Sequence, residues 1–326
     1  MPRGPAPSRF LLNLETELCL LQDELMAQTY RPGAYREFEV CDPKRRLVSA
    51  APFRDRVVHH ALCNVIEPPL ERSFIADSYA NQAGKGTHRA LDRCQQFARH
   101  YRYCLQCDVV QFFPSIDHLL LRTMLAHKLQ DDGVLWLCDR ILDSGVGVLA
   151  EAYNMVYFPG DNLLDALRPR GLPIGNLTSQ FWGNLYLNPL DHLVKRELGC
   201  GGYLRYVDDF LLFSDDKRQL WAWRQAVIEK LAGLRLTLHE RQAQVYPTAT
   251  GIPFLGFRIY PDHRLVKRRK VVQFRRRLNS LRQAYARGDL PLDRLQASLQ
   301  GWVNHVRYGD TWGLRRAVLD FAIPPM

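Results

Sequence analysis

Apolar residues recur at helical spacing in the first part of the chain and then alternate in a short segment. Residues 10–28 carry leucine or phenylalanine every three or four positions, which predicts an amphipathic helix. Residues 35–40 alternate like a strand, and residues 53–67 again have helical periodicity. A glycine-containing loop at residues 81–87 precedes a further predicted helix that extends to residue 98. The pattern therefore predicts a mixed helix and strand region.

Acidic residues interrupt two apolar segments further along the chain. Asp208 and Asp209 lie between apolar runs that otherwise predict a buried hairpin, and Asp108 follows a strand-like segment that runs into a predicted turn at Pro114-Ser115. Burying a carboxylate costs several kcal/mol unless it is paired or binds a metal. Two such sites on neighbouring strands predict a centre for two Mg²⁺ ions, with Mn²⁺ as an alternative, that activates a hydroxyl and stabilises a leaving pyrophosphate.

The two adjacent acids are not equivalent along an extended strand. Alternation places Tyr206 and Asp208 on one side and Val207 and Asp209 on the other, unless a tight turn rotates them together. Asp208 is then the better-placed metal ligand. A plain Asp-Asp turn would give the same local pattern, because aspartate is common in turns. The second acidic site at Asp108 favours the metal centre.

Composition adds a partner class. The 326 residues include 44 Lys+Arg and 34 Asp+Glu, for a formal charge of +10, and 47% are hydrophobic, which suffices for one large or two smaller domains. A basic excess of this size favours a polyanion partner. Eight scattered cysteines, with no signal peptide and no apolar run near 18 residues, predict a reduced cytoplasmic protein. Cys104 and Cys107 lack a second pair, which favours a structural role.

A loop rich in small residues, residues 170–180, precedes an apolar stretch. Gly175 and Asn176 would end a turn, and Thr178 or Ser179 could cap the helix that follows. Such a loop beside an acidic site would make a floor for a base pair and its triphosphate. It could equally be a helix cap that binds no ligand. The presence of the two acidic strands in the same chain favours the functional interpretation.

The most basic segment lies between residues 264 and 282, where apolar positions at helical spacing separate the cations. A solvated charged helix is the simple alternative. So many cations without balancing acids repel one another, which favours contacts with a phosphate backbone. The residues predicted to make these contacts are Arg268, Arg269, Lys270, Arg275 and Arg276.

These motifs resemble those of reverse transcriptases, and more narrowly those of diversity-generating retroelements, over about residues 35–259. The resemblance implies an α+β right-hand polymerase fold with fingers, a palm containing an antiparallel sheet, and a helical thumb. The expected divisions are an N-terminal helix and fingers at 1–104, a palm at 105–262 and a thumb at 263–326. The stretch from 143 to 170 is longer than the core fold requires and is expected to be an inserted surface loop.

The resemblance also implies roles for individual residues. Tyr206-Val207-Asp208-Asp209 resembles the catalytic box, and Asp108 resembles the first catalytic aspartate. The expected metal ligands are Asp108, Val109 and Asp208. A bulky Phe113, five residues after Asp108, would block a ribose 2′-hydroxyl and favour dNTPs. The remaining expected sites are Lys44, Arg46, Ile174 and Gly175 for the dNTP, and Phe254, Leu255 and Gly256 for the primer grip.

One segment carries the narrower resemblance. Most reverse transcriptases have Gln-Gly-x-x-x-Ser-Pro where this chain has Ile174 through Gln180, so Ile174 and Gln180 are the expected selectivity positions. Replacing an amide with Ile174 removes hydrogen bonds near the nucleotide or templating base. The resemblance implies error-prone cDNA synthesis from a template RNA, particularly opposite adenines, for protein diversification by mutagenic retrohoming. It also implies a small basic oligomeric accessory protein and a bacterial, phage or archaeal host cell.

Other features leave alternatives open. Residues 236–242 contain no Lys of the kind that protonates pyrophosphate in related enzymes, and Arg241 rarely gives up a proton, so His239 or a water could serve. The acid stays unassigned. Another prokaryotic reverse transcriptase, of retron, intron or phage-defence type, is a second hypothesis. A catalytically silent RNA-binding scaffold is a third, and the intact acids argue against it.

Overall fold

Within the described residues up to His100, the regular elements are four helices and one antiparallel pair of strands. The computed structural model describes residues 5–41 and 45–322. The helix predicted over residues 10–28 is two helices that divide at Asn13, whereas the strand, the second helix and the loop-preceded helix are confirmed. In chain order the elements are α1 (Pro5–Leu12), α2 (Leu14–Met26), β1 (Arg36–Cys41), β2 (Arg45–Ala50), α3 (Phe53–Glu71) and α4 (Thr87–His100).

An antiparallel four-stranded sheet follows, in the order β4-β5-β3-β6. Its strands are β3 (Tyr103–Asp108), β4 (Gly202–Tyr206), β5 (Asp209–Ser214) and β6 (Val245–Pro247). The predicted turn at Pro114-Ser115 is instead the end of a one-turn helix, which is a position that the fixed φ of proline tolerates. The helices between the strands are α5 (Phe112–Ser115), α6 (His118–Lys128), α7 (Asp132–Ser144), α8 (Leu177–His192) and α9 (Lys217–Gly233).

The two faces of this sheet pack against different elements, because successive side chains of a strand point to opposite faces. Leu105 and Cys107 join Phe210 in the main core with residues of α8 and α9. Cys104 faces the other way, into a second apolar cluster with residues of α4. Cys104 and Cys107 therefore lie on opposite faces of β3 and cannot bind one metal together, as the structural interpretation of this pair expected.

The stretch from 145 to 170 lies at the surface and has only short 3₁₀ helices, at Ala150–Ala152 and Leu163–Leu167. It nevertheless contacts segments that adjoin the ends of α9 and β3. Arg235, in the segment after α9, forms an ion pair with Asp161, and its Nε lies 3.6 Å from Oδ2 of Asp117. The backbone N–H of Asn154 donates to Oε1 of Gln111, 3.0 Å away, in the turn that follows Asp108. The inserted segment is thus held against the region beside the acids.

The C-terminal part contains a small sheet and three helices. The strands β7 (Ile252–Phe254), β8 (Phe257–Ile259) and β9 (Arg264–Val266) are antiparallel, so β9, beyond the expected boundary at residue 263, pairs with β8 before it. The helices α10 (Arg268–Ala286), α11 (Leu292–Val306) and α12 (Trp312–Ala322) enclose their own apolar core. That core contains Phe274, Leu278, Leu295 and Val318.

A fully buried ion pair connects the β4–β5 hairpin to α8. Arg205 and Asp191 are both 0% exposed, and the guanidinium binds the carboxylate through Nε at 2.8 Å and Nη2 at 2.6 Å. Tyr203 donates to the same carboxylate at 2.7 Å. Nη1 of Arg205 donates to the carbonyl of Val207 at 2.9 Å and to Oδ1 of Asn184 at 3.1 Å. The hairpin turn is therefore held from beneath by directional bonds.

Replacing Arg205 with Met should lower the free energy of unfolding by about 3–5 kcal/mol, because it leaves the charge of Asp191 buried without a cationic partner. Urea unfolding followed by circular dichroism measures the loss. Arg196→Met, at an exposed position, is the control. The double change Arg205→Met with Asp191→Leu should recover most of the stability. Equal stability of the Arg205 and Arg196 variants would contradict the role of the pair.

Candidate active site

Two of the predicted acids face each other across a pair of strands. Asp108 is the last residue of β3 and Asp209 the first of β5, and they are register partners. The carbonyl of Asp108 accepts from the N–H of His239 at 2.9 Å, on the edge away from β5. The pair with Asp209 is therefore of the non-hydrogen-bonded kind, in which opposed side chains lie closer together. The structure thus brings together acids that are a hundred residues apart in the chain.

The loop of the β4–β5 hairpin consists of Val207 and Asp208, since Tyr206 and Asp209 are partners. Val207 has φ +57°, which is rare for a β-branched residue, and a positive φ at only the first loop residue matches a type II′ turn. Alternation does not continue through such a loop. Asp209 directly opposes Asp108, and Asp208 lies beside them in the turn. That Asp208 is the better-placed metal ligand stays a prediction.

The surroundings of Asp209 disfavour its negative charge. Desolvation raises the pKa of Asp209 to about 8, and the charges of Asp108 and Asp208 act in the same direction. A hydrogen bond from Nε2 of Gln106, 3.2 Å from Oδ1, opposes the shift, as does the charge of Lys267. A divalent cation beside these carboxylates would favour their ionised forms. The three acids together would attract a divalent cation.

The residues fit Mg²⁺ bound jointly by protein and substrate. Across residues 5–41 and 45–322, no group of three or more His, Cys, Asp or Glu side chains has the arrangement of a complete metal site. Mg²⁺ is typically held by one or two carboxylates together with substrate phosphates and waters. Because Asp108 directs its carbonyl towards His239, Val109 directs its own towards β5 and its turn. Asp108, Val109 and Asp208 stay the expected ligands.

Phe113 lies between the turn after Asp108 and helix α8. It is half-buried, and its carbonyl accepts from the N–H of Leu172 at 2.9 Å. A Cβ added at Gly183 of α8 would lie 3.4 Å from Cε1 of Phe113, so the ring packs close to the helix. The preceding Gln111 has φ +46°, an uncommon conformation that shapes this turn. Phe113 is therefore held against α8 and against the segment that precedes the 174–180 loop.

The loop before α8 is fastened to strand β2. The carbonyl of Ile174 accepts from the N–H of Ser49 at 2.9 Å. The side chain of Asn176 accepts from the N–H of Ala51 at 3.1 Å and donates to the carbonyl of Ser49 at 3.0 Å. Gly175 has φ +115°, and a Cβ there would lie 2.8 Å from Cγ1 of Val48. Only glycine fits this position, and the hairpin and the loop form one unit.

Sequence reasoning treated Asn176 as the end of a turn and missed its three side-chain bonds, of which the third is to the carbonyl of Pro173. The suggestion that Thr178 or Ser179 caps the helix was wrong. Helix α8 begins at Leu177 with Asn176 before it, and Thr178 and Ser179 are buried within its first turn. A hydrogen bond between a side-chain amide and a distant strand has no local signature in the sequence.

The structure describes some of the other expected nucleotide contacts more fully than others. Lys44 lies outside the described residues. The backbone of Arg46 pairs with Val40 in the β1–β2 hairpin. Ile174 and Gln180 are both half-buried, one before and one within the first turn of α8. Within the described ranges, the side-chain amide of Gln180 makes no hydrogen bond. Ile174 therefore lies in the loop that is fastened to β2, and Gln180 lies in the helix that follows this loop.

The predicted primer-grip hairpin is confirmed as a hairpin. Phe254 and Phe257 are partners, and the loop residues Leu255 and Gly256 both have positive φ, as a type I′ turn requires. The carbonyl of Gly256 accepts from the N–H of Lys267 at 3.0 Å, which connects the turn to the start of α10.

Helix α10 presents the expected cationic surface. Arg268, Arg269, Arg275 and Arg276 are exposed, and Lys270 is half-buried. A groove of about 420 Å³ between α10 and α11 is lined by both cationic side chains and aromatic rings. Its lining includes Lys270, Arg276, Arg277, Phe274, Trp302 and His305. In the described ranges, no helix combines the length and apolarity needed to cross a membrane.

Comparison with known families decides the class of protein. The family model for reverse transcriptase (RNA-dependent DNA polymerase) matches residues 41–259. The chain belongs to the reverse transcriptase family. This match includes all three acids and the primer-grip hairpin, and it agrees with the predicted enzyme class, RNA-directed DNA polymerase. Enzymes of this family generally use divalent metal ions, typically Mg²⁺.

Two curated relatives are similar over different shares of the chain. Protein YkfC of Escherichia coli (strain K12) is 24% identical over 319 residues, which cover 84% of this chain and 77% of YkfC. The group II intron-encoded protein LtrA of Lactococcus lactis subsp. cremoris is 24% identical over 169 residues, which cover 51% of this chain and 26% of LtrA.

Solved structures show the fold of this reverse transcriptase. Apo telomerase from Candida tropicalis matches with a TM-score of 0.53 at 11% identity, over 71% of this chain and 48% of that chain. Telomerase from Candida albicans in complex with a telomeric RNA fragment matches with a TM-score of 0.53 at 12% identity, over 73% of this chain and 46% of that chain. The chain spans about half the length of these telomerases. The expected right-hand polymerase fold is confirmed.

Asp209→Asn should stabilise the metal-free protein, increasingly so at higher pH. The pKa of Asp209 is about 8 in the folded chain and about 4 when unfolded, so the wild type loses stability between pH 4 and pH 8 as only the unfolded state ionises. The variant lacks this loss and should gain about 1–3 kcal/mol at pH 8. Urea unfolding at pH 5 and pH 8 measures the difference.

The exposed Asp310→Asn variant is the control for this measurement. Adding Mg²⁺ should narrow the gap in the free energy of unfolding between the wild type and Asp209→Asn, because a bound cation stabilises the ionised carboxylate in the folded state. A gap that is independent of pH would contradict the burial of this acid.

Proposed function

We propose that this reverse transcriptase copies a template RNA into cDNA by attack of a primer 3′-hydroxyl on the α-phosphate of a dNTP. The opposition of Asp108 and Asp209 beside the Asp208 turn is the observation that supports this most directly. Bound Mg²⁺ would lower the pKa of the attacking hydroxyl and neutralise charge on the triphosphate. In this proposal Asp108, Val109 and Asp208 hold the metal, and Asp209 adds a third carboxylate beside them.

The other residues of this site orient the substrates. Phe113 excludes a ribose 2′-hydroxyl, and Gly175 lets the loop approach both β2 and the nucleotide. Lys44 and Arg46 neutralise the triphosphate as pyrophosphate leaves. The β7–β8 turn positions the primer, and the cations of α10 contact the duplex backbone. The corresponding divisions are fingers at 1–104, palm at 105–262 and thumb at 263–326.

Asp208→Ala should lower primer extension on an annealed RNA template by at least about 100-fold, because the metal loses a ligand. Binding of the same primer–template, measured by fluorescence anisotropy, should stay within about twofold, since α10 is unchanged. Asp132→Ala, at an exposed position on α7, is the control. Extension at the wild-type rate by Asp208→Ala would refute the metal assignment.

The narrower proposal is that synthesis is error-prone, particularly opposite template adenines, and serves protein diversification. Ile174 supports it, because an apolar side chain occupies a half-buried position where other reverse transcriptases carry an amide. Without that amide, shape and stacking select the incoming base. The expected partners are the template RNA, the cDNA strand, dNTPs and a small basic oligomeric accessory protein, in the cytoplasm of a bacterial, phage or archaeal host cell.

Ile174→Gln should lower the error frequency opposite template adenines by roughly tenfold, the value of about one buried hydrogen bond. Sequencing cDNA made from a defined RNA template measures the frequency. Leu177→Gln, a half-buried apolar position three residues further on, is the matched control. Unchanged errors at adenines in the Ile174 variant would remove this residue from the explanation.

The likeness to a group II intron-encoded protein favours a second candidate, an intron-type reverse transcriptase. The same sequencing separates the two. A wild-type enzyme whose errors are rare and evenly spread over the four template bases supports the intron type, whereas errors concentrated at adenines support diversification.

A further inference from the structure

Gln106 lies on β3, two residues before Asp108 and on the same face of the sheet. Its side-chain amide makes three hydrogen bonds. Nε2 donates to Oδ1 of Asp209 at 3.2 Å and to the carbonyl of Pro253 at 3.1 Å. Oε1 accepts from the hydroxyl of Tyr246 at 3.1 Å. One side chain thus joins a predicted catalytic acid to two other strands.

The orientation of this amide is determined by its partners. The carbonyl of Pro253 can only accept a hydrogen bond, and so can an ionised Asp209. The NH₂ group must therefore face these two oxygens, which leaves Oε1 for the hydroxyl of Tyr246. A flipped amide would place Oε1 against the carbonyl of Pro253. Gln106 has one stable orientation, and a shorter or apolar side chain could not reproduce it.

The two elements that Gln106 joins belong to separate sheets. Asp209 begins β5 of the four-stranded sheet, and Pro253 lies in β7 of the three-stranded sheet. Pro253 immediately precedes the hairpin turn assigned to the primer grip, residues 254–257. Apolar residues also pack between the two sheets, but such contacts are non-directional. The hydrogen bonds of Gln106 set the position of one sheet relative to the other beside the acids.

We propose that Gln106 is a positioning residue that fixes the distance between Asp209 and the primer-grip hairpin, and so aligns the primer 3′-hydroxyl with the catalytic acids. This inference rests on the proposed polymerase function. Gln106 does not contact the reacting atoms in this account. It acts by holding two substrate-facing elements in register, and misplacement by about 1 Å can cost about 100-fold in rate.

Three variants separate the bonds of Gln106. Gln106→Met keeps the length of the side chain and removes every hydrogen bond. Gln106→Glu keeps an acceptor for Tyr246 and replaces the donor with an oxygen that repels Asp209 and the carbonyl of Pro253. Tyr246→Phe removes the hydrogen bond that Oε1 of Gln106 accepts and leaves the two hydrogen bonds of its NH₂ group in place. Gln96→Met, on the exposed face of α4, is the matched control.

Single-turnover extension of an annealed primer–template measures the chemical step, with primer–template affinity and melting temperature measured on the same proteins. We expect the rate constant to fall by about 10- to 100-fold in Gln106→Met and at least as far in Gln106→Glu. Tyr246→Phe should lose less than about threefold, and Gln96→Met should match the wild type. Primer–template affinity should stay within about twofold in all four. A 2-aminopurine base at the primer terminus should change its fluorescence in the Gln106 variants, because the primer end is seated differently.

The outcomes distinguish this inference from its foundation. A wild type that does not extend primers overturns the proposed function and this role together. An active wild type with Gln106→Met extending at the same rate overturns only the positioning role. A rate loss that disappears after correction for the folded fraction, with unchanged 2-aminopurine fluorescence, also overturns it.

Discussion

The opposition of two carboxylates across the β3–β5 ladder is the constraint on which the rest of this site depends. Asp108 and Asp209 are register partners, and Asp208 adds a third acid in the adjoining turn. Like charges directly opposed across strands are destabilising, and desolvation adds to that cost. The raised pKa of Asp209 expresses both effects. Without a cation the arrangement opposes folding, and a divalent cation bound beside the acids would offset that cost.

The elements around the acids are held by directional bonds at positions of backbone strain. Val207, Gln111 and Leu255 are non-glycine residues with positive φ, and they lie in the turn before Asp209, in the turn after Asp108 and in the β7–β8 turn. Strained conformations persist only where the surroundings determine them strongly. Arg205 beneath the first turn and the inserted segment beside the second supply that determination. The insertion is therefore part of the support of the site as well as a surface loop.

The acids were predictable because charge inside an apolar strand is costly and therefore conspicuous. The hairpin around Asp208 and Asp209 was predictable from its apolar runs, the hairpin at residues 254–257 from the family resemblance, and the helices from periodicity. The orientation of Asp209 was not, because a two-residue loop interrupts alternation and its type depends on tertiary contacts around Val207. Arg205 was overlooked within an apolar run, since its partner Asp191 lies fourteen residues away on α8. Gln106 and Asn176 act through single bonds to distant strands, which local patterns do not encode.

We propose above all that the carboxylates of Asp108 and Asp208, next to Asp209, bind divalent cations together with the nucleotide. The direct measurement is electron paramagnetic resonance of Mn²⁺ bound to the protein with a dideoxy-terminated primer–template and the matching dNTP. The account predicts two Mn²⁺ ions per chain in the wild type and a loss of at least one in Asp108→Asn, with primer–template binding retained. The same number of bound Mn²⁺ ions in both proteins would contradict it.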